Sequence, residues 1–272
     1  MSDEPRDENE PSPGAGAADE GYVPPDPDEP PPLELGRVGD VLPWGTLAVL
    51  LAWGAIFFWF ALRAQTDLTA AFLAWGASVG GRPPLETAWR SLASTFLHAG
   101  AAHAGFNALS LLLFGSSVES VFSRWAFWVV LVLGGTAASL GSLGWHAWRY
   151  GDAAHMSVGG SGAIFALGGA LLASAIRLRT RLAVGRARAL AAGALFLLTQ
   201  SLVAGFSRLG TDNAAHAAGL VSGFVIGLAM PISVRLGGGR AGPALTILGG
   251  AAVLAVLAAL AVAIASGLRA GY

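Results

Sequence analysis

Seven stretches of about 20 mostly apolar residues, at 42–62, 95–117, 125–145, 160–178, 187–206, 213–233 and 243–266, leave this chain few folds to choose from. A helix of that length crosses the hydrocarbon core of a bilayer and satisfies its backbone N–H and C=O groups internally. With 54% hydrophobic and 12% charged residues over 272 positions, the composition is that of a polytopic membrane protein, and it excludes an ordinary soluble domain. The second and sixth stretches carry His and Asn among their apolar residues. Between the first and second lies a segment, 63–94, with Trp75, Arg82, Pro83-Pro84 and Trp89. It is too long for a tight turn and too apolar for water, so short interfacial helices lying on the membrane are expected there.

The charges are divided along the chain. Residues 1–40 hold twelve acids against Arg6 and Arg37, a net of −10, whereas residues 41–272 hold fourteen arginines against five acids, a net of +9. The acidic, Pro- and Gly-rich tail buries too little apolar surface to offset its ordering entropy, and it reads as disordered. It lacks the positive start and apolar core of a signal peptide, so the first span reads as a retained anchor. Cysteine is absent, which removes disulfides, thiolate chemistry and cysteine–metal sites. Arginines in short loops mark the cytoplasmic side. Arg177, Arg179, Arg181, Arg186 and Arg188 follow the fourth span, Arg235 and Arg240 the sixth, and Arg124 the second. On the opposite side, the third-to-fourth connection has Arg149 with Asp152, and the fifth-to-sixth has Arg208 with Asp212. The N-terminus is thus expected in the cytoplasm and the C-terminus outside.

With that orientation, spans two, four and six all begin on the outer side, and their unusual residues share one depth. His98 and His103 lie at the start of span two with Asn107 one turn deeper, Ser161 opens span four, and His216 opens span six. Polar groups in a membrane helix cost free energy unless they find partners or line a wet cavity. His103 and Asn107, four apart, share a helix face. His98, five before His103, is expected about 140° around the helix, so the two histidines need no common partner. A serine hydroxyl becomes nucleophilic when an imidazole takes its proton, and histidine titrates near neutrality. Ser161 and His216 fit those roles. The Ser161 N–H and the side chains of His103 and Asn107 are the oxyanion donors on offer. Gly219, Gly223 and Gly227 form a small-residue ridge on span six, and Ser161, Phe165, Gly168 and Gly169 share a face of span four. Asp212, one turn before His216, is read as a helix cap with a third catalytic role as the alternative. His146 and His155 are read as loop residues.

Each feature also has a plain structural reading, as cap, packing residue or buried histidine; the combination at matched depth favours chemistry. It resembles the rhomboid intramembrane serine proteases. HAGAAHAGFN (His98 to Asn107), GGSG (Gly159 to Gly162) and AHAAG (Ala215 to Gly219) match that family's patterns on the second, fourth and sixth spans, Trp89-Arg90 and Val118-Glu119 match two further pairs, and the likeness covers about 40–235. The resemblance implies an all-α polytopic membrane protein: a six-helix rhomboid-like bundle with interfacial helices between spans one and two, plus one additional C-terminal transmembrane helix. The expected division is a disordered tail over 1–40, the protease domain over 41–235 and the added helix over 236–272.

The resemblance further implies Ser161 as nucleophile, His216 as general base, and His103 and Asn107 as oxyanion-hole donors, with Gly159, Gly162 and Phe165 shaping the site. Phe165 stands where the family often has a tyrosine, and Ser94 where some members have another histidine. The implied activity is a serine endopeptidase that cuts the transmembrane segments of other proteins near the outer leaflet, without metal or cofactor. Expected partners are those substrates and the lipid bilayer, not nucleic acid; oligomeric state stays open. The all-Arg, Ala- and Gly-rich composition points to a GC-rich bacterial genome, and the expected location is the bacterial inner membrane. The alternatives are a catalytically inactive rhomboid-like protein that binds membrane clients, a transporter, for which the apolar inner halves of spans four and six are unsuited, and a metal hydrolase, for which no H-E-x-x-H motif exists.

Overall fold

The computed structural model describes residues 42–63, 67–151, 155–178, 211–232 and 241–272, with Leu195 and Thr199. The acidic tail, the span expected over 187–206 apart from those two residues, and the arginines from Arg179 to Arg188 lie outside them. The first apolar stretch forms α1 (Trp44–Arg63). After it come the two short helices anticipated for the interfacial segment, α2 (Leu68–Ala74) and α3 (Pro84–Ala93). Asp67 starts α2 by accepting from the Ala70 amide at 2.9 Å, and Pro83-Pro84 starts α3, where a missing N–H does no harm. Arg90 of the Trp-Arg pair is buried and donates to the carbonyls of Leu73, at 2.7 Å, and Ala77, at 3.2 Å, and so clamps the turn between the two helices.

The second stretch departs from expectation. Its helix, α4, runs Ala101–Val121, not from residue 95. Ser94–Phe96 form one 3₁₀ turn and Leu97 is extended, because Gly100 weakens helix propagation and Leu97 and His98 turn inward to buried positions. The third stretch is a 27-residue helix, α5 (Arg124–Tyr150), with a π turn at Val130–Gly134. Shorter helices of 17 residues follow, α6 (Ser161–Arg177) and α7 (Asn213–Ala229), and then α8 (Pro243–Arg269). The helices α1, α4, α5 and α8 are long and apolar enough to cross a membrane. One small departure from an all-helical fold is an antiparallel pairing of β1 (Ser78–Val79) with β2 (Met156–Ser157), in the register Ser78 with Ser157 and Val79 with Met156. It ties the interfacial segment to the strand that leads into α6.

The core lies where α4, α5 and α6 meet: Leu111, Val118, Phe122, Phe127, Val130, Ala163 and Leu167 are essentially inaccessible. Large apolar side chains on the outer faces, among them Leu51, Phe58, Val221, Ile247 and Leu254, are exposed, as lipid-facing residues are. Glu119, near the end of α4, caps α1: its carboxylate accepts from the Gly45 amide at 3.1 Å and from the Thr46 amide and hydroxyl at 2.7 Å each. An anion at a helix N-terminus gains from both the orphan amides and the helix dipole.

Helices α6 and α7 pack backbone on backbone. A Cβ on Gly219 would strike the carbonyl of Gly162, one on Gly223 the carbonyl of Ala166, and one on Gly227 the backbone of Ala170; from the other side, Gly169 lies against Leu220. The facing stripe on α6 is thus Gly162, Ala166, Gly169 and Ala170, with Ser161 and Phe165 one position aside. The glycine ridge read from span six is the contact surface, and the face that contains Ser161 borders it.

Candidate active site

The crossing of α6 and α7 fixes the serine and the histidine. Ser161 is the first residue of α6 and His216 lies in the first turn of α7, so the close approach at Gly162 and Gly219 puts both at one end of the helix pair. The Ser161 hydroxyl stands 2.8 Å from His216 Nε2. The ring of Phe165, one turn deeper on α6, stacks on the imidazole at 4.2 Å between centroids and 8° between planes, which fixes the ring's rotation. His216 is 4% exposed, and its Nδ1 meets no hydrogen-bonding atom among the described residues.

The aspartate one turn earlier is engaged elsewhere. Asp212 accepts from the Ala215 amide at 2.9 Å, from the Ser142 hydroxyl at 2.5 Å and from the Ser157 hydroxyl at 2.7 Å. Burial alone would raise its pKa. The hydrogen bonds from Ser142, Ala215 and Ser157 and the nearby His155 outweigh burial and hold the carboxyl below its usual range. It caps α7, as expected, and links that helix to α5 and β2. Its contact with His216 is through the backbone, the His216 amide donating to the Asp212 carbonyl at 3.1 Å.

Opposite the pair stands the first turn and a half of α4. Gly159 has φ +122°, a conformation that side chains rarely adopt, and its amide donates to the Ser94 carbonyl at 2.9 Å. A Cβ there would stand 2.6 Å from His103 Cε1 and 2.8 Å from His103 Nε2, with Asn107 Nδ2 at 3.7 Å. Gly159 therefore leaves room for His103 and Asn107 to converge on the segment that leads to Ser161. Asn107 is 6% exposed, and its Nδ2 has no acceptor among the described residues. The Ser161 amide, at the first position of a helix, has no intrahelical partner. The side chains of His103 and Asn107 and the Ser161 amide thus stand about the N-terminal end of α6. Gly162 is held small by Ala138, whose methyl a Cβ would meet at 2.7 Å.

Two residues behave differently from their sequence reading. His98 is not on α4, so the expected 140° offset from His103 does not apply; the two rings meet edge to face at 5.3 Å. On its other side His98 meets Trp53 of α1 at 4.8 Å, and the Trp53 ring covers Gly160, where a Cβ would collide with it. Trp53 is a wall of the site that no local motif announces. His146, expected in a loop, lies on α5, and its ring stacks on that of His155.

A family model described as the Rhomboid domain matches residues 85–232. Among curated relatives, rhomboid protease GluP of Bacillus subtilis is 29% identical over 175 residues, which is 64% of this chain and 32% of that protein. RHOMBOID-like protein 1 of Arabidopsis thaliana is 32% identical over 149 residues, 55% of this chain and 36% of its own length. The putative rhomboid protease YdcA of Bacillus subtilis is 29% identical over 138 residues, 51% of this chain and 65% of its own. The aligned part spans between about a third and two thirds of these proteins' length.

Proposed function

This chain belongs to the rhomboid family and is an integral membrane protein, and on that premise we propose that it is an intramembrane serine endopeptidase working through a Ser161–His216 dyad. The observation that carries the reading is the 2.8 Å approach of the Ser161 hydroxyl to His216 Nε2, beneath a stacked Phe165. His216 Nε2 accepts the Ser161 proton as the hydroxyl attacks the scissile carbonyl. The Ser161 amide, His103 and Asn107 donate to the oxyanion that forms. His216 then protonates the leaving amine, the new N-terminus departs, and water attacks the acyl-enzyme with His216 again taking the proton, which it returns to Ser161 Oγ as the ester bond breaks. No acid among the described residues meets Nδ1, and stacking on Phe165 holds the plane of the imidazole.

In this reading residues 41–235 form the protease unit, 1–40 a cytoplasmic tail and 236–272 an additional transmembrane helix. The protein resides in a bacterial inner membrane, and the dyad faces the outer leaflet. Its substrates are transmembrane segments that unwind locally there and have a small residue before the cut. The test is cleavage of a model single-span substrate in proteoliposomes. Wild type is expected to release two fragments, and Ser161→Ala none. Equal cleavage by the Ser161→Ala protein would refute the proposal.

A further inference from the structure

At the dyad end of the bundle a second cluster stands apart from Ser161. His146 near the end of α5, His155 just before β2, and Asp212 at the start of α7 each offer one ligand atom, and these atoms all lie within 4.8 Å of one another. The two imidazoles are stacked parallel, centroids 3.5 Å apart and planes 4° apart, and His155 Nε2 is 3.6 Å from Asp212 Oδ2. We propose that His146, His155 and Asp212 bind one divalent transition-metal ion of the zinc class.

The ligand atoms are close to the spacing required. Bonds of about 2.0–2.1 Å to a tetrahedral centre put neighbouring ligand atoms ~3.3 Å apart, so the His155–Asp212 separation needs little change. The stacked rings aim their lone pairs side by side, and binding requires one imidazole to turn out of the stack so that both converge on the ion. The surroundings are those of a supported site. His146 Nδ1 lies 3.0 Å from the Ser142 carbonyl. Donating to it fixes the tautomer that keeps the lone pair on Nε2, the usual arrangement behind a metal-bound histidine. The hydroxyls of Ser142 and Ser157 orient the Asp212 carboxylate in the same way. Two imidazoles with one carboxylate select zinc or its neighbours over calcium or magnesium. All three residues are half-buried, which leaves a way in for the ion and for a fourth, solvent ligand.

The ion's effect follows from where its ligands sit. It would clamp the segment leading to Ser161 onto α5 and onto the helix that holds His216 one turn later. The role is structural, with no part in the bond-breaking steps.

The experiment uses tag-free, full-length protein in detergent, stripped with a chelator and titrated with Co²⁺ as a visible probe, then with Zn²⁺ in competition. Expected are one equivalent of Co²⁺ with tetrahedral absorption bands, displacement by Zn²⁺, and a zinc-dependent rise in Tm. His155→Ala and His146→Ala, each with the metal-free Tm of wild type, should weaken binding by at least about tenfold and abolish the rise. Ser161→Ala should bind as wild type does, which separates this proposal from the protease reading. No saturable Co²⁺ spectrum at micromolar concentration, or a spectrum unchanged in both histidine variants, would overturn it.

Discussion

Where α7 crosses α6, Gly219 lies over the carbonyl of Gly162, Gly223 over that of Ala166 and Gly227 over Ala170. Where α1 meets the end of α4, one carboxylate, Glu119, gathers the amides of Gly45 and Thr46 and the Thr46 hydroxyl. The first junction is held by dispersion between closely packed backbones, the main resource left to helices already surrounded by lipid. Its directional bonds lie at its two ends, Ser161 with His216 and Arg177 with the Gly227 and Met230 carbonyls, and between them its geometry is set by the absence of side chains. The second is directional and depends on a single residue. The proposed dyad sits on the first kind of junction. A contact defined by excluded volume fixes the distance from Ser161 to His216 closely, and an added methyl has nowhere to go.

Substitutions that damage one junction and spare the other sharpen the contrast. The largest effect is expected from Gly223→Val, which forces a branched side chain into the Ala166 backbone. Overpacking of about 3 kcal/mol or more should remove both the folded state and activity, seen as a collapse of Tm in detergent together with loss of cleavage. Next comes Asn107→Ala, near the dyad end of α4. Loss of one oxyanion donor should lower kcat by about 10²–10³-fold with Tm nearly unchanged. Phe165→Leu removes the stack that fixes His216 and should cost about tenfold in kcat, in line with ~0.5–1.5 kcal/mol for an aromatic pair. Smallest in activity is Glu119→Ala, at the other end of α4. It strands the Gly45 and Thr46 amides and should lower stability by about 1–3 kcal/mol, yet leave kcat per folded molecule unchanged. If Glu119→Ala proves as inactive as Asn107→Ala, the two junctions are not independent and the comparison fails.

Much of the site could be read from the sequence because its parts are local. GGSG, the His103–Asn107 spacing and the glycine ridge before and after residue 219 each express a one-helix requirement, and the helix period alone predicts which residues share a face. What escaped is what only tertiary contact creates. His98 was placed on a helix that begins three residues later, since a hydropathy run does not register the break at Gly100. Trp53 covers Gly160 from a helix more than 100 positions earlier in the chain, and nothing near Trp53 marks it as a wall of the site. The His146–His155–Asp212 cluster was invisible for the same reason: its members have no metal-ligand spacing, and they meet only because the end of α5 lies beside the starts of β2 and α7. Glu119 stood out in its Val-Glu pair, but its partner, the start of α1, lies 73 positions away.

The most direct test of the account is whether Ser161 is an activated nucleophile. Purified protein in detergent would be treated with a fluorophosphonate probe beside Ser161→Ala and His216→Ala. The dyad predicts labelling of wild type that vanishes in both variants while their Tm values stay at the wild-type level. An unlabelled, well-folded wild type, or labelling that survives in Ser161→Ala, would contradict it.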